Sequence, residues 1–331
     1  MTTNGFFSVG QKTFIKACDM GMNPACALLA MACGTGKDNA TTKWSAEAVA
    51  NHIGVRWTTA KEAVTSLIDH HLVTPKTENR TRPTYKIEKE GDSIWLPKAL
   101  IEGAANEVAP VNRLRQTQDV MTLRLLVELY SAQNLREDGG ISTKVMYQEY
   151  DRQRAGERGI HVVWDFAYKQ EYVSWCGVTK PHRRDKLTAD EIAAEKNPGV
   201  DFFKRKSLLV SMGLLEWVPY VFDGPKGEPI HAMHSYGLQI ERDLFEAANG
   251  AGCRMVADSY KHRRHGFLVP VPAHVEQVQV IGIARLRYRP QTKLTSAWWA
   301  DHHTTCQNFI DGYDSMAVKK VAFDDRFAGF A

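Results

Sequence analysis

Near the start of the chain, apolar residues recur at helical spacing in short runs set apart by breakers. The first predicted helix spans 23–33, with Asn23 able to cap it, Pro24 suited to the first helical position and Gly34 ending it. A polar loop follows over 35–43. Ser45 then caps a short helix over 46–52, whose Ala46, Val49 and Ala50 point inward, and Gly54 marks a tight turn. A third helix over 57–70 carries Ala60, Ala63, Val64, Leu67 and Ile68 in one stripe. His71, Leu72 and Val73 leave it as a strand, and after a polar tip the chain returns as a second strand over 84–88.

Further along, 94–112 reads as a connector. A helix over 120–132 carries Leu123, Leu125, Leu126 and Leu129, and Ser142 caps a further predicted helix over 143–151. An insertion over 153–187 follows, rich in aromatic residues (Trp164, Phe166, Tyr168, Tyr172, Trp175) and basic at its end. Thr188 caps a short helix over 189–195. A long helix over 201–212 ends at Gly213, and strands over 214–222 and 230–238 flank a turn rich in breakers. This second region therefore repeats the helix-then-hairpin order of the first. Beyond it, the pattern predicts a helix over 241–248, a strand over 277–289 and a helix over 296–313.

Helix, short helix, turn, long helix and two-stranded hairpin, carried by WSAEAVANHIGVRWTTAKEAVTSLIDHHLVTPKTENRTRPTYKI, resemble the winged helix-turn-helix superfamily over roughly residues 24–90. Ala46, Val49 and Ala50 resemble the apolar positions of its second helix, Gly54 and Val55 its turn, and Leu72 and Val73 the start of its wing. The sequence departs from the pattern at Arg56, where a Ser or Thr cap is common, and at Trp57, a bulky residue at the entry to the recognition helix. The resemblance implies an α+β, mainly helical fold. It would comprise a winged helix over 1–93, a connector over 94–116, a second, elaborated winged helix over 117–240 and a small C-terminal α+β region over 241–331. Two such domains in one chain resemble the replication initiators of plasmids and phages. That implies repeated sites at an origin and host replication proteins as partners; a homodimer is compatible with it.

Charge sharpens this picture only locally. The 42 Lys and Arg residues against 38 Asp and Glu give a formal charge of +4, and phosphate binding depends on where cations cluster, not on the total. If the third helix entered a major groove, Trp57, Thr58, Lys61 and Thr65 would meet base edges. Lys43 and Arg56 would grip flanking phosphates. At the wing tip, Lys76, Arg80 and Arg82 are basic, and the last two alternate, as cations entering a minor groove would. In the second region, Lys204, Arg205 and Lys206 lie on its long helix and Lys226 at its hairpin turn. Arg285, Arg287 and Arg289 alternate along a strand as a candidate phosphate track.

Other chemistry finds no complete motif. Cys33-Gly34-Thr35-Gly36-Lys37 resembles the end of a phosphate-binding loop, but Met31 and Asp38 stand where a Gly and a hydroxyl residue are needed. His231 and His234 are spaced to fall on opposite faces of a strand. His302, His303 and Cys306 have helical spacing without a fourth ligand, and Cys253 with His262 is a looser pair, so structural histidines and no metal or cofactor are expected. The six cysteines show no disulfide spacing and are expected to be reduced, mostly buried thiols. The longest apolar run, 25–33, falls short of the roughly 20 residues a membrane helix requires. The N-terminal residues lack a basic-then-apolar leader, so a cytoplasmic location is expected. The composite expectation is a sequence-specific double-stranded DNA-binding protein, a replication initiator or else a transcriptional repressor. An enzyme that uses such domains to present DNA is disfavoured by the lack of clustered carboxylates or a triad, and a pure partner-binding adaptor is disfavoured by the helix and wing charges.

Overall fold

The computed structural model describes residues 5–76, 83–104, 107–134, 140–173, 198–224, 227, 229–234, 237–257, 260–261, 266–289 and 293–327. The chain divides into two units, and neither is continuous in sequence. The first comprises Met1–Leu135, Cys176–Leu215 and Leu286–Lys293; the second comprises Arg136–Trp175, Glu216–Arg285 and Leu294–Ala331.

Unit 1 is built around one apolar helix. Strand β1 (Phe6–Gly10) leads into α1 (Gln11–Asp19) and then α2 (Met22–Cys33). Every residue of α2 from Ala25 to Cys33 is buried. A helix that is apolar all round has no face to offer water and must be enclosed. Here α1, α3 (Ala46–Ile53), α4 (Trp57–Asp69), α5 (Ala99–Glu102), α6 (Pro110–Gln116) and β1 all pack against it. Burial pushes the thiols of Cys26 and Cys33 up to about 12, so neither is a thiolate at neutral pH. Of the described cysteines, Cys18, Cys26, Cys33 and Cys306 are buried and Cys253 is exposed, and none of these five is in a disulfide.

The helix predicted over 57–70 is α4, with Ala60, Ala63, Val64 and Leu67 buried as the stripe required. After it, β3 (Val73–Pro75) pairs antiparallel with β4 (Tyr85–Ile87), and β2 (Thr41–Thr42) adds a third strand on the other side of β4. The segment read as a connector carries regular elements. Strand β5 (Ser93–Pro97) pairs with β1 before α5 and α6, and α7 (Val120–Ser131) follows. Asp119 caps α7, accepting from the backbone N–H groups of Met121 and Thr122. Helix α8 (Pro198–Ser211) packs on α7, and Arg205 donates to Asp119 at 3.0 Å.

Unit 2 overturns the expected fold class. Its frame is a six-stranded curled antiparallel sheet, so the protein is not a mainly helical pair of winged helices. The sheet contains β6 (Met146–Arg158), β7 (His161–Val173), β8 (Leu215–Phe222), β9 (Pro229–Ala232), β10 (Gly266–Pro272) and β11 (Gln279–Leu286), in the order β10-β7-β6-β11-β8-β9. Most of the helix predicted over 143–151 and the part of the insertion predicted over 153–187 that lies before residue 174 are instead its longest hairpin, turning at Gly159 with φ +59°; residues 174–187 lie outside the described residues. Gln, Glu and Arg residues made β6 look helical. Its pairing with the β-branched and aromatic residues of β7 decides otherwise, because sheet pairing outweighs local propensity. The predicted hairpin over 214–238 exists as β8 and β9, but it forms one edge of this sheet, whereas α7 and α8 belong to unit 1. The expected helix over 189–195 lies outside the described residues.

Helix α9 (Gln239–Met255) packs along β10, where a Cβ on Gly252 would come within 2.5 Å of Leu268. Asn249 accepts from the backbone N–H of Leu268 at 2.8 Å. Phe166, Phe267 and Val269 from the sheet, Leu244 and Ala248 from α9, and Cys306 and Tyr313 from α10 (Lys293–Phe327) form one core.

Beside this core lies a buried ionic cluster. Arg285 has no solvent exposure and donates to both oxygens of Glu241 at 2.6 Å and to Glu216 at 2.6 Å. His302 Nε2 lies 3.1 Å from Glu241, and His234 Nε2 lies 3.5 Å from Glu216. Burial by itself would raise the pKa of both carboxyls. Hydrogen bonds outweigh it, from Arg285 and His302 at Glu241 and from His234 and Arg285 at Glu216, and hold both below the usual carboxylate range. Glu241 also lies in the first turn of α9, where an anion is favoured by the helix dipole. His231, fully buried with Nε2 3.0 Å from the Tyr313 hydroxyl, is pushed down to about 3 by burial and stays neutral.

Arg285→Met should therefore destabilise the protein by about 3–5 kcal/mol, because it strands two carboxylates without their cation. Urea unfolding at pH 7 measures this. A group whose pKa is depressed by folding contributes stability above its unfolded pKa, about 4.3 for Glu, and loses it as pH falls toward the folded value. The wild-type urea midpoint should thus fall more steeply below about pH 4.5 than that of Glu241→Gln.

Candidate nucleic-acid interface

One polar stripe of α4 meets solvent uncovered. Trp57, Thr58, Lys61, Glu62, Thr65, Ser66 and Asp69 follow one another at helical spacing and line a shallow open groove. The opposite stripe is the one buried on α2 and α3, so the outward direction of these side chains follows directly from the burial of the others. Trp57 is 53% exposed, a large apolar surface to leave in water. The Lys61 ammonium lies 5.1 Å from the centre of the Trp57 ring, a cation–π contact between successive turns.

The turn that sets this helix combines Gly54, marked as a turn in the sequence, with partners on α6 that the sequence does not mark. Gly54 has φ +68°, the left-handed region, and ends α3. A Cβ there would meet the amide of Asn112 at 2.4 Å. Arg115, also on α6, donates through Nε to the Ile53 carbonyl at 2.7 Å and through Nη2 to the Gly54 carbonyl at 3.0 Å. These carbonyls terminate a helix and lack intrahelical donors, so the guanidinium satisfies them and clamps the turn. Such a long-range partner leaves no periodic signal in sequence. Trp44 stacks flat on His52 at 4.2 Å between ring centres, which the absence of a side chain on Gly34 permits. Asp38 shapes the loop before β2. Its hydrogen bonds with Thr41 and Ala40 hold its carboxyl down at about 2.

Lys43 and Arg56 are exposed and, with Lys61, make no ion pair among the described residues. Arg56 occupies the N-cap position of α4 without a side-chain cap bond. Arg56 and Lys61 place cations at the start of α4, where the positive end of the helix dipole also lies; Glu62 sits beside Lys61 and Asp69 ends the helix. Lys76 is exposed at the end of β3 and donates to Thr41 Oγ1 at 3.1 Å. Arg80, Arg82 and Lys226 lie outside the described residues.

The other basic candidates are not assembled into a cationic face. Lys204 is exposed, but Arg205 is half-buried against Asp119, and Lys206 is buried with its ammonium 5.1 Å from the ring of Phe203. The alternation of Arg285, Arg287 and Arg289 does not produce a track. The strand ends at Leu286, Arg285 is consumed inside unit 2, Arg287 pairs with Glu107 at 2.9 Å, and Arg289 is half-buried. Of the tempting histidines, His231, His234 and His302 are buried structural groups. Among the described residues, no group of three or more His, Cys, Asp or Glu is placed to hold a metal ion, and no helix is long and apolar enough to cross a membrane.

A scan against protein-family models and searches of curated proteins and of solved structures found no match to this chain.

Gly54→Ala should destabilise unit 1 by at least about 1–2 kcal/mol from the left-handed backbone alone, with the Asn112 clash added to it. Arg115→Ala should cost about 1–3 kcal/mol by removing two charge-assisted hydrogen bonds, of which the one to Ile53 is part-buried. Chemical denaturation of each variant, with Arg115→Lys as an intermediate case, checks both values.

Proposed function

We propose that the protein binds double-stranded DNA sequence-specifically, with the N-terminal half of α4 in the major groove. The observation that carries this reading is the exposed stripe of α4. It is a helix fixed from behind by its apolar face, presenting Trp57, Thr58, Lys61 and Thr65 to solvent, with the exposed cation Arg56 at its N-cap; Lys43 is exposed before α3. A helix fits the major groove, and in helix-turn-helix docking its N-terminal residues meet base edges. Arg56 at the N-cap and Asp69 in the last turn are consistent with the same orientation, with a cation toward phosphate and an acid away from it. The helix-turn-helix resemblance of residues 24–90 supports this reading for unit 1 alone.

Binding at an origin and binding at a promoter are the two roles such recognition serves, as replication initiator or as repressor. The expectation of an initiator rested partly on a second winged helix, and that support is withdrawn with it. The genomic position of the selected sites separates the roles: an array of direct repeats marks an origin, and an overlapping promoter marks a repressor.

Selection from a random duplex pool followed by gel-shift titration tests the proposal. Lys61→Ala and Thr58→Ala should weaken binding to the selected site more than to random DNA, by about 1–3 kcal/mol each if they contact bases. Equal losses on both DNAs would remove α4 from the groove. Lys43→Ala combined with Arg56→Ala should lower affinity on both DNAs and reduce the slope of log K against log salt by about two.

A further inference from the structure

We infer that Trp57 reads the 5-methyl group of a thymine in the bound site, with Lys61 as the residue that holds its ring in place. This deepens the proposed function and rests on it. Trp57 occupies the first turn of α4, the part that reaches furthest into a groove, and exposes about half its surface. Its indole offers one N–H donor and no acceptor, so its information content in a groove of base edges is chiefly apolar. Among the four bases, only thymine presents an apolar group in the major groove. A large ring at this position is therefore matched to a methyl group and mismatched to the bare C5 edge of cytosine.

The geometry around the ring supports the same assignment. The Lys61 ammonium, 5.1 Å from the ring centre, restrains the indole before DNA arrives. A side chain restrained in advance loses less rotamer freedom on binding. Thr58 and Thr65, exposed on the same stripe, each add a methyl and a hydroxyl, so the reading face combines apolar contact with short-range hydrogen bonding.

The test uses the full chain and the duplex selected from a random pool. Each thymine in the site is replaced in turn by deoxyuridine, which keeps its base-pairing edge and loses only the methyl group. One position should lose about fourfold in affinity, the worth of one buried methyl group. Trp57→Ala, whose removal leaves the buried stripe of α4 untouched, should bind the thymine and uracil duplexes equally at that position. Lys61→Ala should reduce the thymine preference, and Lys61→Arg, which keeps a cation over the ring, should restore it. A wild-type ratio near one at every thymine overturns the inference and leaves the DNA-binding reading standing. So does a Trp57→Ala protein that keeps the wild-type ratio, because the methyl is then read by another residue. Failure of the chain to enrich any duplex overturns both.

Discussion

Helix α2 can exist only if it is enclosed. From Ala25 to Cys33 it offers water no polar side chain that matters, and the free energy of hiding that surface makes it the post around which unit 1 assembles. Its alanines let neighbouring helices approach closely, and α4 meets that requirement by giving up Ala60, Ala63, Val64 and Leu67 to the contact. Once those four residues face inward, the remaining side chains of α4 are committed to solvent. The candidate interface is thus a consequence of core packing: the same contact that stabilises unit 1 aims Trp57, Thr58, Lys61 and Thr65 outward.

The clamp at Gly54 adds the second constraint. Packing on α2 fixes which face of α4 is buried, but the approach from α3 depends on a left-handed residue and on Arg115 satisfying two helix-terminal carbonyls. Helix α4 therefore depends on a residue about sixty positions further along the chain. Rigid support of this kind suits recognition, because a contact surface ordered in advance loses less entropy on binding.

Unit 2 solves a different problem with charge. Glu241, fully buried, and Glu216, half-buried, remain ionised because Arg285 lies against both, in short hydrogen bonds. Replacing such a cluster with apolar residues is often neutral for stability, but breaking it is severe. It ties β11, β8, α9 and α10 together, with His302 and His234 completing it. An arginine that looked from sequence like part of a phosphate track is thus committed to the fold.

What the sequence alone determined were features governed by neighbours in the chain. The helical spacing of Ala60, Ala63, Val64 and Leu67, the breaker at Gly54 and the apolar run of α2 each specify local structure, so α2, α3, α4 and the strands after them fall within a few residues of their expected bounds. The candidate reading residues of α4 were legible for the same reason, since a buried stripe defines its opposite. Only the tertiary structure decided the rest. Whether MYQEYDRQRAGER is helix or strand depended on β7 pairing beside it, and local propensity cannot supply that partner. Whether Arg285 met phosphate or carboxylate depended on Glu241 and Glu216, 44 and 69 positions away. Alternation along a strand says which residues share a side, and only the packed sheet says which side is inside.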